Sequence, residues 1–472
     1  AEGALARLGE RLAEMAAPED SPEPEGLVAT LRGYQRRGLT WLVGMCELGL
    51  GGCLADDMGL GKTIQVIALH LARGRGPMLV VCPASLLGNW ARELGVFAPS
   101  IAVRRYHGEG RNLDDLAPTE VVLATYGVAR HDRAALAGVP WDLVVADEAQ
   151  HMKNPQSRTA RELRGIPAHA RLALTGTPVE NRLLDLWSIL DWTTPGLLGP
   201  LETFRRRIAA PIEQEGDAAT AARFGRLVRP FLLRRTKRDP DVAPELPAKT
   251  ELDVLVPLTA EQASLYEAVV RETLAKIGGS EGIRRRGLVL ELLTKLKQIC
   301  NHPAHFLRET APLRGRSGKL DALDELLEVI VAEGESALVF TQYVAMARLL
   351  EAHLVEQGIP TLFLHGGVEV RRRDALVRRF QDGEAPVFLL SLRAGGVGLN
   401  LTRATHVVHY DRWWNPAVED QATDRAHRIG QDRPVQVHRL VAEGTVEDRI
   451  AALLRSKRAL AEMVVGAGEE WL

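Results

Sequence analysis

Residues 55–65 read ADDMGLGKTIQ, a glycine-spaced turn set between the apolar run GGCLA and an amphipathic continuation. A strand that feeds such a turn and then a helix is the setting of a phosphate-binding loop. Gly59 and Gly61 let backbone N–H groups approach an anion, and a helix starting near Lys62 adds its dipole. Lys62 would then reach the β and γ phosphates of a nucleotide, and Thr63 would offer its hydroxyl to Mg²⁺. One position departs from the G-x-x-x-x-G-K-[ST] pattern: its first glycine is Asp56 here, and a plain turn with a surface lysine is the alternative.

A nucleotide hydrolase also needs a carboxylate for the metal and a group that polarises water. WDLVVADEAQ supplies both, because the buried strand Leu143 to Ala146 delivers Asp147 and Glu148 at the edge where parallel sheets bind ligands. Asp147 is the expected Mg²⁺ ligand and Glu148 the expected group on the attacking water. An acidic pair after a strand serves equally well as a helix cap; the company of Lys62 and Thr63 favours the metal.

Around these stretches, short apolar runs alternate with helical patterns: PMLVVCP, EVVLATY and ARLALTGTP in the first half, SALVFTQY, TLFLHGG, PVFLLSL, THVVHY and VQVHRLV in the second. Continuous apolar strands separated by helices mean parallel sheets covered on both faces, so the fold class is α/β with two such units. The expected organisation is an N-terminal helix and linker over 1–26 and a first unit over 27–240 with a helical insertion at about 185–230. A helical bridge or protrusion over 241–312 and a second unit over 313–472 complete it. In the second unit, AVEDQATDRAHRIG suggests a helix with Gln421, Asp424, Arg425 and Arg428 on one face. Arginines there suit a phosphoryl charge, though a solvated, salt-bridged face has the same spacing.

The bulk properties narrow the class. With 472 residues, 46% hydrophobic, the chain can fill several cores. Its 59 basic and 61 acidic residues give no global attraction to nucleic acid, so any such surface is local. Cys46, Cys53, Cys82 and Cys300 form no C-x-x-C pair, which argues against a zinc cage or a disulfide framework. With no long apolar run and a reducing setting implied, the expected location is the cytoplasm, at the nucleoid if the source is bacterial.

The ordered motifs LRGYQ (31–35), DDMGLGKT (56–63), PASLLGNW (83–90), ATYG (124–127), DEAQHMKN (147–154) and LTGTPVEN (174–181) are joined by FLLRRTKRD (231–239), QICNHP (298–303), LLSLRAGGVGLNLT (389–402) and DRWWNPAVEDQATDRAHRIGQ (411–431). This series resembles the Swi/Snf family of double-stranded-DNA translocases in the second helicase superfamily. The resemblance implies two RecA-like lobes with helical protrusions, ATP and Mg²⁺ as cofactors, and DNA-stimulated ATP hydrolysis. It further implies adenine recognition by Gln35, nucleotide contacts from Asp57 and Gln421, and arginine fingers at Arg425 and Arg428. Asp57 stands where family members often carry Glu, and LHGG replaces a commoner Asp-Gly-Ser-Thr run.

DNA would be held by its phosphates. RFGRLVRPFLLRRTKR (223–238) has seven basic residues and no acid, and RRRDALVRR (371–379) has five arginines. Expected phosphate contacts are Ser85, Thr125, Thr177, Arg234, Arg235, Lys237, Arg393 and Gly395. Such contacts carry no sequence information, so the expected partner is double-stranded DNA bound without sequence preference, with a DNA-bound protein as a further candidate substrate. The expected activity is duplex translocation that remodels or displaces protein–DNA complexes without strand separation. The alternatives are a DNA or RNA helicase, an RNA-polymerase-associated recycling ATPase and an inactive scaffold.

Overall fold

Two all-parallel sheets organise the chain, and most of their strands are the apolar runs just described. In the computed structural model, the described residues are 22–450 apart from 180–181, 238, 240, 243–245, 279–281, 311 and 392–398. The expected N-terminal helix over 1–16 lies outside them. The chain divides into two compact units between residues 244 and 245.

The first unit contains β1 (Gly52–Leu54), β2 (Met78–Cys82), β3 (Val103–Tyr106), β4 (Val121–Thr125), β5 (Trp141–Asp147), β6 (Ala168–Leu174) and β7 (Leu232–Leu233), in the order β3-β4-β2-β5-β6-β1-β7. Every residue of β1, β2, β4 and β5 is buried, as strands covered by helices on both faces require. The register levels the strand ends: Leu174 of β6 pairs with Leu54 of β1 on one side and with Asp147 of β5 on the other. The turns after β1, β5 and β6 therefore leave the sheet side by side, and two strand spacings, roughly 10 Å, separate Leu54 from Asp147.

The second unit contains β8 (Lys249–Val256), β9 (Ala337–Thr341), β10 (Thr361–Leu364), β11 (Val387–Ser391), β12 (His406–His409) and β13 (Val435–Ala442), ordered β10-β11-β9-β12-β13-β8. Its core joins Leu338, Phe340, Phe388 and Val407 with Phe380 on one face and packs Leu323, Leu327 and Leu350 on the other. Here the structure corrects the expected organisation. Residues 249–256, read as part of a helical bridge, form an edge strand along the whole of β13, and the helices Ala260–Gly278 and Gly282–Asn301 follow it within the same unit. The second unit thus begins about 70 residues earlier than the pattern of apolar runs suggested. Among the described residues, no helix is long and apolar enough to cross a membrane.

Three enclosed histidines of this unit, His305, His409 and His438, are pushed down to about 4, mainly by burial; for His305 and His438 the charges of His302 and His406 add to it. They are neutral when folded but take up a proton once unfolded, near the ordinary histidine value of about 6.5. The unfolded chain therefore binds more protons between pH 6.5 and 4, and stability is full above that window and lost as pH falls through it. We expect the second unit to lose on the order of 2 kcal/mol between pH 7.5 and 5, allowing for screening at His305 and His438. Hydrogen exchange of β11 and β12 amides in graded urea measures this, and a flat pH profile would refute it.

Candidate functional site

The turn after β1 has the geometry of an anion cradle. Gly59 and Gly61 take φ of +88° and +76°, in the left-handed region open to glycine, and Gly61 caps the helix Lys62–Arg73. That helix is enclosed all round from Ile64 to His70, as a helix in the interior of a large unit is. A side chain at Gly61 would also collide with Gln35, whose Nε2 lies 2.5 Å from the position of a Cβ. Gln35 is therefore in van der Waals contact with the loop. Its Nε2 donates to Leu60 O (3.2 Å), and its Oε1 accepts from Arg32 N (3.0 Å). Lys62 Nζ rests on the loop's own carbonyls, donating to Asp56 O (2.6 Å) and Asp57 O (3.2 Å). Thr63 follows in the first helical turn, half-buried.

Asp147 ends β5 and is buried. Burial and the neighbouring Glu148 charge push its carboxyl up to about 7, against the pull of the Trp90 hydrogen bond and the Lys62 ammonium. Lys62 and Asp147 thus share one electrostatic neighbourhood. Trp90 Nε1 donates to Asp147 Oδ2 (2.8 Å), and the Tyr126 hydroxyl donates to Asp147 O (2.8 Å). Glu148 stands at φ +52°, an uncommon conformation for a non-glycine residue and one that concentrates at functional sites. Gln150 Nε2 donates to Glu148 Oε2 (2.7 Å), while Gln150 Oε1 accepts from the Thr175 hydroxyl (3.0 Å). A hydrogen-bonded line therefore runs from Glu148 to the turn after β6. Trp90, Tyr126, Gln150 and Thr175 were not picked out from sequence. Their only signal is membership of PASLLGNW, ATYG, DEAQ and LTGTP, since each acts across a sheet edge rather than within one motif.

The residues expected on DNA divide. Arg235 is not a DNA contact: its side chain is fully buried in an ion pair with Asp56, Nη2 to Oδ2 at 2.5 Å. Thr125 is buried too, and its hydroxyl accepts from Val128 N (3.3 Å) as the cap of the helix Tyr126–His131. The Thr177 hydroxyl and Arg234 Nε are buried with no hydrogen-bond partner among the described residues. Lys237 is half-buried, and its backbone N–H donates to Asp57 Oδ2 (3.0 Å). Asp57 therefore braces the 235–237 segment in this structure. Ser85 lies in the short turn Ala84–Leu86, its side chain outside the described set, and Arg393 and Gly395 lie outside the described residues. Among the described residues of the 223–238 stretch the exposed basic ones are instead Arg223, Arg226 and Arg229, because Ala221, Phe224 and Val228 turn the other flank of the helix Ala218–Val228 inward.

In the second unit the expected long helix is short. It spans Pro416–Thr423, with Pro416 at its start and Asn415 capping it, so Gln421 is helical while Asp424, Arg425 and Arg428 follow in turns and share no helix face. Two contacts hold the segment beyond the helix: Leu401 N donates to Arg425 O (3.0 Å), and the Arg428 side chain donates through Nη1 to Leu399 O (3.0 Å). Both arginines are thereby held beside the last residues of LLSLRAGGVGLNLT, with Arg425 itself only 4% exposed. Trp187 belongs to the buried core of the first unit.

Comparison with known proteins gives the following matches. The model of the SNF2-related domain covers residues 34–305, and that of the helicase conserved C-terminal domain covers 318–430. A putative ATP-dependent helicase/translocase of Bacillus subtilis (strain 168), YwqA, is 46% identical over 99% of this chain and 52% of its own length. The ATP-dependent DNA helicase DDM1 of Arabidopsis thaliana is 34% identical over 93% of this chain and 62% of its own. The SWI2/SNF2 ATPase core of Sulfolobus solfataricus, solved in complex with dsDNA, is 40% identical, with 95% of this chain and 96% of that chain covered and a TM-score of 0.49. The chain spans about half the length of the curated relatives it matches.

Proposed function

The chain belongs to the SNF2-related family, and on that premise we propose that it hydrolyses ATP to drive movement along double-stranded DNA, displacing or remodelling bound protein without separating the strands. One observation carries the reading: the turns after β1 and β5 are level, so the Lys62 loop and the Asp147–Glu148 pair face one space. The relatives' names, ATP-dependent helicases and a translocase, support the same reading.

The donor set fits a magnesium nucleotide. Two acids are adjacent in a buried place, and burial together with the Glu148 charge pushes Asp147 up in spite of Lys62. A divalent cation is held in such sites by one or two carboxylates plus the phosphates of the substrate. Asp147 and Thr63 would hold it here, and its chemistry would be to neutralise charge on the phosphate oxygens. The chain's own groups do the rest. Loop N–H groups around Gly59 and Gly61 cradle the phosphates, and Lys62 leaves the carbonyls of Asp56 and Asp57 to reach them. Glu148 takes the proton of the attacking water, while Gln150 and Thr175 hold its carboxylate in place. Gln35 turns its amide to the adenine edge. Glu148 and Thr175 are joined through Gln150, so the water-activating group and the LTGTP turn respond together.

DNA contact in this proposal comes from Arg223, Arg226 and Arg229 together with Lys237, Ser85, Arg393 and Gly395, all phosphate-directed and therefore blind to sequence. The test is steady-state ATP turnover with duplex DNA, single-stranded DNA and RNA. Duplex stimulation of tenfold or more, steeply weakened by salt, is expected. ATP-dependent strand displacement would replace this reading with a helicase, and turnover indifferent to every nucleic acid would remove the motor.

A further inference from the structure

A buried ion pair stands where a phosphate loop ordinarily has its first glycine. We propose that Asp56 and Arg235 together set the conformation of the 55–61 loop, which makes Arg235 a positioning residue for nucleotide binding. This rests on the nucleotide-site reading above.

Both side chains are wholly enclosed, at 0% exposure. The Asp56 carboxylate accepts four hydrogen bonds: from Arg235 Nε (2.9 Å), Arg235 Nη2 (2.5 Å), the Arg235 backbone N (3.2 Å) and Gln65 Nε2 (3.2 Å). A carboxylate so saturated has no lone pair left for a metal or a water, so its work is done through the backbone it fixes. That backbone touches the site directly, because the Asp56 carbonyl oxygen holds Lys62 Nζ at 2.6 Å. Arg235 therefore acts on the phosphate-binding lysine through one intervening residue.

The guanidinium spends its remaining donors on the same neighbourhood. Nη2 also reaches Gln65 Oε1 (2.7 Å) in the first turns of the helix after the loop, and Nη1 donates to Tyr34 O, beside Gln35. The Tyr34 ring lies 5.0 Å from the guanidinium, and its hydroxyl donates to Leu60 O (2.8 Å), at the far end of the loop. One planar fork thus spans both ends of the turn and the segment that carries Gln35, a geometry a lysine cannot reproduce. The main chain repeats the pattern: Ala55 N donates to Leu233 O (2.7 Å) and Asp57 N to Arg235 O (3.0 Å). Glycine at 38 leaves room for the cluster, since a Cβ there would sit 2.0 Å from Gln65 Oε1 and 2.7 Å from Arg235 Nη2.

The experiment measures ATP affinity with a fluorescent ATP analogue, well below the melting temperature of each variant, beside nucleotide-free affinity for a DNA duplex. Asp56→Gly restores the glycine of the ordinary loop. A merely tolerated turn residue would bind ATP as well or better after that change; an anchor would lose tenfold or more, which is the result expected. Arg235→Lys, which keeps the charge and loses the fork, is expected to lose a similar factor, and the double variant no more than either single one. Gly38→Ala, ordinarily favourable inside a helix, is expected to weaken ATP binding about threefold by displacing the ends of Gln65 and Arg235. If Asp56→Gly does not fold, Asp56→Asn serves in its place, with a smaller loss expected and unchanged affinity counting against the proposal. A parent chain that fails to bind ATP sinks the nucleotide site itself. A parent that binds while Asp56→Gly binds equally well overturns only the positioning role, and loss of DNA affinity with ATP affinity intact would return Arg235 to the DNA surface.

Discussion

Lys62→Ala is expected to lower ATP turnover by about 10³-fold at saturating ATP, with a smaller loss in ATP binding. The reason lies in where the ammonium can go. In this structure it is held by the carbonyl oxygens of Asp56 and Asp57 at the mouth of the loop, and charge on Asp147 is felt across the same space. A mobile cation placed there can follow negative charge as it grows on the transferring group, an interaction made mostly in the transition state and so read in turnover. Alanine also leaves those two carbonyls facing the phosphates, which adds repulsion to lost attraction. Initial rates with excess ATP decide the matter, and turnover within tenfold of the parent chain would remove Lys62 from the chemistry.

The second large effect lies in the other unit. Lys319 and Glu447 form an ion pair at 2.8 Å with both side chains at 0% exposure, and Lys319 also approaches Asn301 Oδ1 at 3.4 Å. Glu447 in turn accepts the Ala442 N–H (2.9 Å) at the end of β13. Removing the lysine leaves a buried carboxylate uncompensated, so Lys319→Met is expected to cost the unit about 3–5 kcal/mol. Lys319→Met with Glu447→Gln should recover much of that, because the glutamine carbonyl still accepts from Ala442 and no charge remains unpaired. Urea-dependent hydrogen exchange of β9 and β12 amides measures both. A single variant as damaged as the double one would mean that the cavity, and not the charge, carries the cost.

The contrast between these two lysines shows what a sequence exposes. Lys62, Gly59, Gly61, Asp147 and Glu148 were legible because each lies in one short segment whose local geometry is its function. The strands Met78–Cys82, Val121–Thr125 and Val387–Ser391 were legible because both their faces are apolar. β8 was not. Its sequence KTELDVLV carries charges at Glu251 and Asp253 because it is an edge strand, and Glu251 finds Arg439 only across the ladder. β3, VRRY, hid in the same way at the edge of the first sheet. Arg235 was misread for a related reason. A run of basic residues looks like one surface, yet the ion partner of this one lies 179 positions away. Asp56, out of place in its motif, was the visible hint that a buried cation had to be somewhere. The helix expected through Arg425 and Arg428 ends at Thr423, and the segment beyond it is bonded to Leu399 and Leu401, partners that no local spacing encodes.

The pairing of β8 with β13, Lys249 opposite Val435, has a consequence for how the protein is made. Ribosomes add roughly 5–20 residues per second, so the edge strand emerges roughly 10 to 40 seconds before the partner that will cover it exists. Until then its backbone donors and the outward-facing Leu252 and Leu255 are open to any neighbouring nascent chain. Glu251 and Asp253, which end as ion-pair partners in the finished sheet, spend that interval as like-charged guards against such mispairing.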